Sequence, residues 1–126
     1  MNTMQVAEGL VTLCSQGKFI EAGETYWDED VLSVEPFTGE MAVLRGKAAV
    51  RAKGEWWVGA HEVHAVEVQA PYVNGDQFMV RYIMDLTVRQ TGQRSKLDEI
   101  GLYTVKDGRI VDERFFVRKE YFEHRR

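Results

Sequence analysis

Residues 95–117 read SKLDEIGLYTVKDGRIVDERFFV, two strand-like runs joined through Lys106-Asp107-Gly108. An Asp-Gly pair between β-rich runs is a strong short-range hairpin signal, because glycine tolerates the positive φ that tight turns need. The pattern predicts strands over Ser95–Val105 and Arg109–Val117. Before this hairpin, Gln77–Gln90 is a long strand with two clean faces. Phe78, Val80, Tyr82, Met84, Leu86 and Val88 share one, and Met79, Arg81, Ile83, Asp85, Thr87 and Arg89 share the other. Turn signals at Asn74-Gly75-Asp76 and Thr91-Gly92-Gln93 bound it. Before it, His61–Tyr72 alternates and ends near Pro71, which completes a meander of four antiparallel strands.

The first half reads as helices. Thr3 is the expected cap of a helix running to about Gln16, with Val6, Leu10, Leu13 and Cys14 on one face and Gly17 as its stop. A second helix is expected over Lys18–Trp27 and a third over Lys47–Gly59. Between them Asp28-Glu29-Asp30 breaks the pattern and Val31–Glu35 forms a short strand before Pro36. Residues 37–46 are a loop with some strand character. Helices segregated to one face of an antiparallel sheet make an α+β domain. Strands of about 11–14 residues exceed the usual length and must curl. The expectation is a single domain over residues 1–126, a cone-shaped roll with an interior.

The totals narrow the function classes. A net charge of −4 argues against nucleic acid as the partner. The basic residues at the end (Arg118, Lys119, Arg125 and Arg126) alternate with Glu120 and Glu123 and read as a solvated tail. No run is apolar enough for a membrane span and no signal peptide is evident. The single cysteine, Cys14, sits on an apolar stripe as a buried thiol, and a reducing cytoplasm is the expected setting.

Acids at strand centres are the candidate chemistry. If Lys106-Asp107-Gly108 is a three-residue loop with a glycine bulge, Glu99 lies opposite Phe115 and Gly101 opposite Glu113. Glu99, Tyr103 and Glu113 then share a face. A two-residue turn would put Glu99 and Glu113 on opposite faces. A similar loop at Thr91-Gly92-Gln93 places Asp85 opposite Glu99. Glu35, Asp85, Glu99 and Glu113 would then meet the indoles of Trp27 and Trp57, with Tyr103 and Phe115 beside them. Clustered carboxylates in a dry pocket cannot all ionise, so one keeps its proton for acid–base work. His64 is a further candidate base. Against this, the apolar face with Phe78, Val80 and Tyr82 belongs inside on burial grounds, which would turn the charged face outward, where Arg81, Arg89 and Arg114 can pair with the acids. His61, Glu62 and His64 lack metal-site spacing, so no metal is expected.

The stretches ETYWDEDVLSVE at 24–35, GDQFMVRYIMDLTVRQT at 75–91 and YTVKDGRIVDERFF at 103–116 resemble the SnoaL-like family, within the nuclear transport factor two-like superfamily. The resemblance implies a cone enclosing a pocket for a small hydrophobic ligand, and often a homodimer through the outer sheet face. It also implies one of several cofactor-free activities (isomerase, cyclase or dehydratase) or a non-catalytic binding role. The ketosteroid isomerase pattern of a tyrosine and two acids is not matched in spacing; Tyr26, Glu35 and Glu99 or Asp85 offer only the residue types.

Overall fold

The computed structural model describes residues 1–118. Helix α1 spans Thr3–Ser15 and α2 Phe19–Tyr26; strands β1 (Trp27–Val34) and β2 (Val43–Arg45) follow, then α3 (Lys47–Ala60). The remaining chain is β3 (His61–Asn74), β4 (Gln77–Val88), β5 (Arg94–Lys106) and β6 (Arg109–Val117). The expected solvated tail from Lys119 to Arg126 lies outside the described residues.

Asn2 rather than Thr3 caps α1: its side chain accepts from the Gln5 amide, and the Gln5 side chain accepts in return from the Asn2 amide. Gly17, with φ of 76°, ends the helix as expected. Helix α2 ends just before the acidic triplet Asp28-Glu29-Asp30, but β1 starts earlier than expected, at Trp27, and the triplet falls in the irregularity of its pairing with β6 between Trp27 and Leu32. Strand β3 does not stop at Pro71. It bulges there, with Ala70 at φ of 91°, and resumes pairing through Tyr72 opposite Met79.

The six strands form one mixed sheet in the order β2-β1-β6-β5-β4-β3. Four consecutive strands meander as read from the sequence. The first strand closes the arrangement by pairing parallel to the last, β1 with β6, which sets Ser33 beside Glu113. Helix α1 packs on β3, β4 and β5, and α3 packs on β1. The inward core residues include Val6, Leu10, Val31, Val50, Phe78, Val80, Leu86 and Ile110. The result is the expected α+β roll, with helices on one face of a curved antiparallel-rich sheet.

The defining hairpin reaches the expected face by a different route. Asp107 and Gly108, at φ of 52° and 75°, make a two-residue turn, and Lys106 pairs with Arg109. Alone that turn would separate Glu99 from Glu113. One residue further on, a bulge leaves Val111 unmatched and restores the parity, so that Tyr103 lies opposite Glu113 and Glu99 opposite Val117. The expected pairings of Glu99 with Phe115 and Gly101 with Glu113 are thus off by two residues, while the shared face stands.

Candidate active site

The register between β4 and β5 sets what joins the acids. The connection runs over residues 89–93, and Thr87 pairs with Arg94. Tyr82 is therefore opposite Glu99, and Phe78 opposite Tyr103. The apolar face of β4 and the acid-bearing face of β5 are the same inner face, so the two arrangements weighed from sequence do not exclude each other. Asp85 is excluded by the same register. It pairs with Lys96 on the outer face, where Arg94 grips its carboxylate at 2.9 and 2.7 Å and holds it below its ordinary range. The expectation that Asp85 meets Glu99 is corrected.

His64 is also outside. It is the unmatched residue of a bulge between Val63 and Ala65, is exposed, and bonds the Thr87 hydroxyl at 2.8 Å. His61, first in β3, is the histidine that faces inward. It is buried, its Nδ1 lies 2.8 Å from the Trp57 carbonyl, and its ring stacks on the Trp57 indole at 4.4 Å.

Between α2, α3 and the inner sheet face lies a cavity of about 220 Å³. Trp27, Trp57, Tyr103 and Phe115 line it together with Glu35, Glu99 and Glu113. Each carboxyl has a different environment. Glu113 is buried and fully engaged: its Oε1 accepts from Trp27 Nε1 at 2.8 Å and its Oε2 from the Ser33 hydroxyl at 2.7 Å. Burial raises its pKa, while those two donors and the Lys53 charge oppose the rise. Glu35, just past β1, meets Lys53 Nζ at 2.9 Å. Glu99 is reached by no hydrogen bond or ion pair among the described residues. Burial, then the neighbouring Glu35 and Glu113 charges, push it up to about 8, against a smaller opposing pull from Lys53.

The apolar walls are equally built. Tyr103 stacks on Phe78 at 4.8 Å and meets Phe115 edge-on at 6.2 Å. The hydroxyls of Tyr82 and Tyr103 lie 2.6 Å apart, and burial holds both well above the usual phenol range. Gly101 leaves room for the Tyr103 ring, which a Cβ there would meet at 2.8 Å. Gly23 does the same for the Trp27 indole. Trp56, next to Trp57, is half exposed at the cavity wall.

Sequence reasoning missed three of these groups. Lys53 stands on the inward stripe of α3, three residues after Val50 and four before Trp57, a spacing that could have exposed it. Ser33 shares the inward parity of Val31 on β1. His61 stands out in the sequence only beside Glu62 and His64, whose spacing suits no metal site. Among the described residues no group of three ligand types converges for a metal.

The sequence model of the SnoaL-like domain matches residues 1–117. No curated protein sequence matches. A protein from Mesorhizobium loti, described as a candidate SnoaL-like polyketide cyclase, is 46% identical. It superposes with a TM-score of 0.88, covering 92% of this chain and 99% of that one. A nuclear transport factor two-like protein from Burkholderia xenovorans gives 0.75 at 17% identity, over 97% and 93% of the two chains. A protein of cystatin-like fold from Xanthomonas campestris gives 0.79 at 20% identity, over 98% and 95%. These last two are likenesses of fold. The domain match and the Mesorhizobium relative carry the stronger conclusion: this chain belongs to the SnoaL-like family.

Proposed function

We propose that the protein is a cofactor-independent acid–base enzyme, an isomerase, cyclase or dehydratase, acting on a small hydrophobic carbonyl or hydroxyl compound. The observation that carries this reading is Glu99, an unengaged carboxyl facing an aromatic-walled cavity with its pKa pushed up to about 8. Near neutral pH it holds a proton to give. Its neighbour Glu113 cannot serve in the same way, because both its oxygens are taken. Glu99 donates to the substrate oxygen, and the carboxylate of Glu35, on the cavity wall, is the base that takes a proton from the adjacent carbon. The relation to a protein described as a candidate polyketide cyclase supports chemistry of this kind.

The test is exchange of the α-hydrogens of 1-indanone in D₂O, followed by proton NMR. The rate should exceed the uncatalysed rate and fall as pH rises through about 8, where Glu99 loses its proton. No exchange above background across the pH range would contradict the proposal.

A second reading, a non-catalytic binding module, is favoured by how much of the acid set is already occupied: Glu35 by Lys53, and Glu113 by Trp27 and Ser33. Retention of an apolar ligand without conversion would be its signature. In either reading the protein is a homodimer through its outer sheet face, in the cytoplasm. Tyr72, Met79 and Phe116 supply exposed apolar surface there, 69%, 41% and 54% accessible, between the ion pairs Arg81–Asp98 and Arg114–Asp112. Phe116→Glu is expected to halve the mass seen by sedimentation equilibrium; a wild-type monomer would refute this.

A further inference from the structure

Lys53 is a buried cation that the proposed chemistry does not use, and its contacts are specific. Its Nζ lies 2.9 Å from Glu35 Oε1 and donates to the Ser33 hydroxyl at 2.6 Å, 5.8 Å from the centre of the Phe115 ring. The Ser33 hydroxyl accepts from Lys53 and donates onward to Glu113 at 2.7 Å. A directed chain thus runs Lys53 to Ser33 to Glu113, with a branch to Glu35. Glu99 stands outside it.

We propose that Lys53 is a positioning residue that decides which carboxyl of the cavity carries the proton, tying Glu35 directly and Glu113 through Ser33 so that the proton resides on Glu99. A cation one hydroxyl away favours the charged form of a carboxyl, and so does a hydrogen bond donated to it. Both act on Glu113. Glu99 has the burial without the donors. The Lys53 charge also reaches Glu99, but more weakly than burial and the two neighbouring acids.

The other titratable groups facing this chain leave the assignment unchanged. Cys14 of α1 is pushed up to about 12 by burial, and Tyr82 of β4 and Tyr103 of β5 sit well above the phenol range. None of these changes charge between pH 4 and 9. His61 of β3 faces the cavity from the Trp57 side and bonds the Trp57 carbonyl. In turnover the consequence rests on the acid–base reading above; the location of the proton does not.

The test is a carboxyl-carbon NMR titration of the full chain labelled at glutamate Cδ, with Glu113 assigned by Glu113→Gln. In Lys53→Met the Glu113 midpoint should rise by about one unit or more, the size expected for losing a charge within about 4–6 Å. Lys53→Gln, which keeps donors to Ser33 and Glu35 without the charge, should move it the same way and serves if the Met variant does not fold. Lys53→Arg should leave it near the wild-type position. An unmoved Glu113 midpoint in either folded neutral variant would overturn the proposal. No substrate is needed, so an absent exchange activity and a misplaced proton are separately detectable.

Discussion

Glu99→Gln lowers the exchange rate at least about 100-fold, the smaller end of what a positioned general acid contributes, and at the same time stabilises the fold. The two effects have one cause. Burial and the Glu35 and Glu113 charges raise the Glu99 pKa from 4.5 to about 8 in the folded chain. Between those values the unfolded chain ionises this carboxyl and the folded chain does not. The folded state then binds more protons, so stability falls as pH rises from about 4.5 to about 8 and is level beyond. Each unit of that interval costs at most about 1.4 kcal/mol. Discounted for partial exposure, the penalty is about 1–2 kcal/mol at neutral pH. Glutamine carries no charge and escapes it. Thermal melts of both proteins at pH 5 and pH 8 check the sign: the variant should gain on the wild type as pH rises. A variant less stable than the wild type at pH 8 would make Glu99 a structural group.

Glu113 is expected to behave in the opposite way. Glu113→Leu keeps the volume but removes the acceptor for the Trp27 indole N–H and the Ser33 hydroxyl. Leaving a buried donor unsatisfied costs about 1–3 kcal/mol, and two are orphaned here. Part is returned because the burial that raises the Glu113 pKa is no longer imposed on a carboxylate. The net loss is about 2–4 kcal/mol, read by urea denaturation at pH 7. Glu113→Gln should cost less than Glu113→Leu, because its oxygen still accepts from Trp27 and its amide can donate to the Ser33 oxygen, so that only the Ser33 O–H loses its acceptor. Equal losses in the two variants would show that volume, not hydrogen bonding, is what Glu113 contributes. The pair of carboxyls therefore divides the labour: Glu113 holds Trp27, β1 and β6 together, and Glu99 has no structural partner among the described residues.

The fold was legible from the Asp107-Gly108 turn, the alternation of Gln77–Val88 and the helical stripes, because each is local. What was not legible were the places where one residue reverses a face. The unmatched Val111 and the unmatched His64 are bulges without a glycine to announce them. The first returned Glu113 to the face of Glu99; the second belongs to the turn of the chain that takes His64 out of the cavity. The connection spans residues 89–93, longer than the three-residue loop that Thr91-Gly92-Gln93 suggests, and the shorter loop is what would carry Asp85 into the cavity. Its partner Arg94 lies nine residues away on the next strand, where helix or strand periodicity gives no hint of it. Lys53 was overlooked for a different reason. A lysine on an apolar stripe is ordinarily expected to reach solvent with its tip, and the long-range contact of α3 with β1 supplies the Ser33 hydroxyl and, just past β1, the Glu35 carboxylate that hold it inside.

Everything proposed for the cavity depends on Glu99 keeping its proton at neutral pH. A carboxyl-carbon NMR titration of the glutamate-labelled wild type, with Glu99 assigned by its loss in Glu99→Gln, measures this directly. One resonance is expected to titrate with a midpoint of about 8. A Glu99 midpoint in the ordinary carboxyl range of about 4–5 would contradict it.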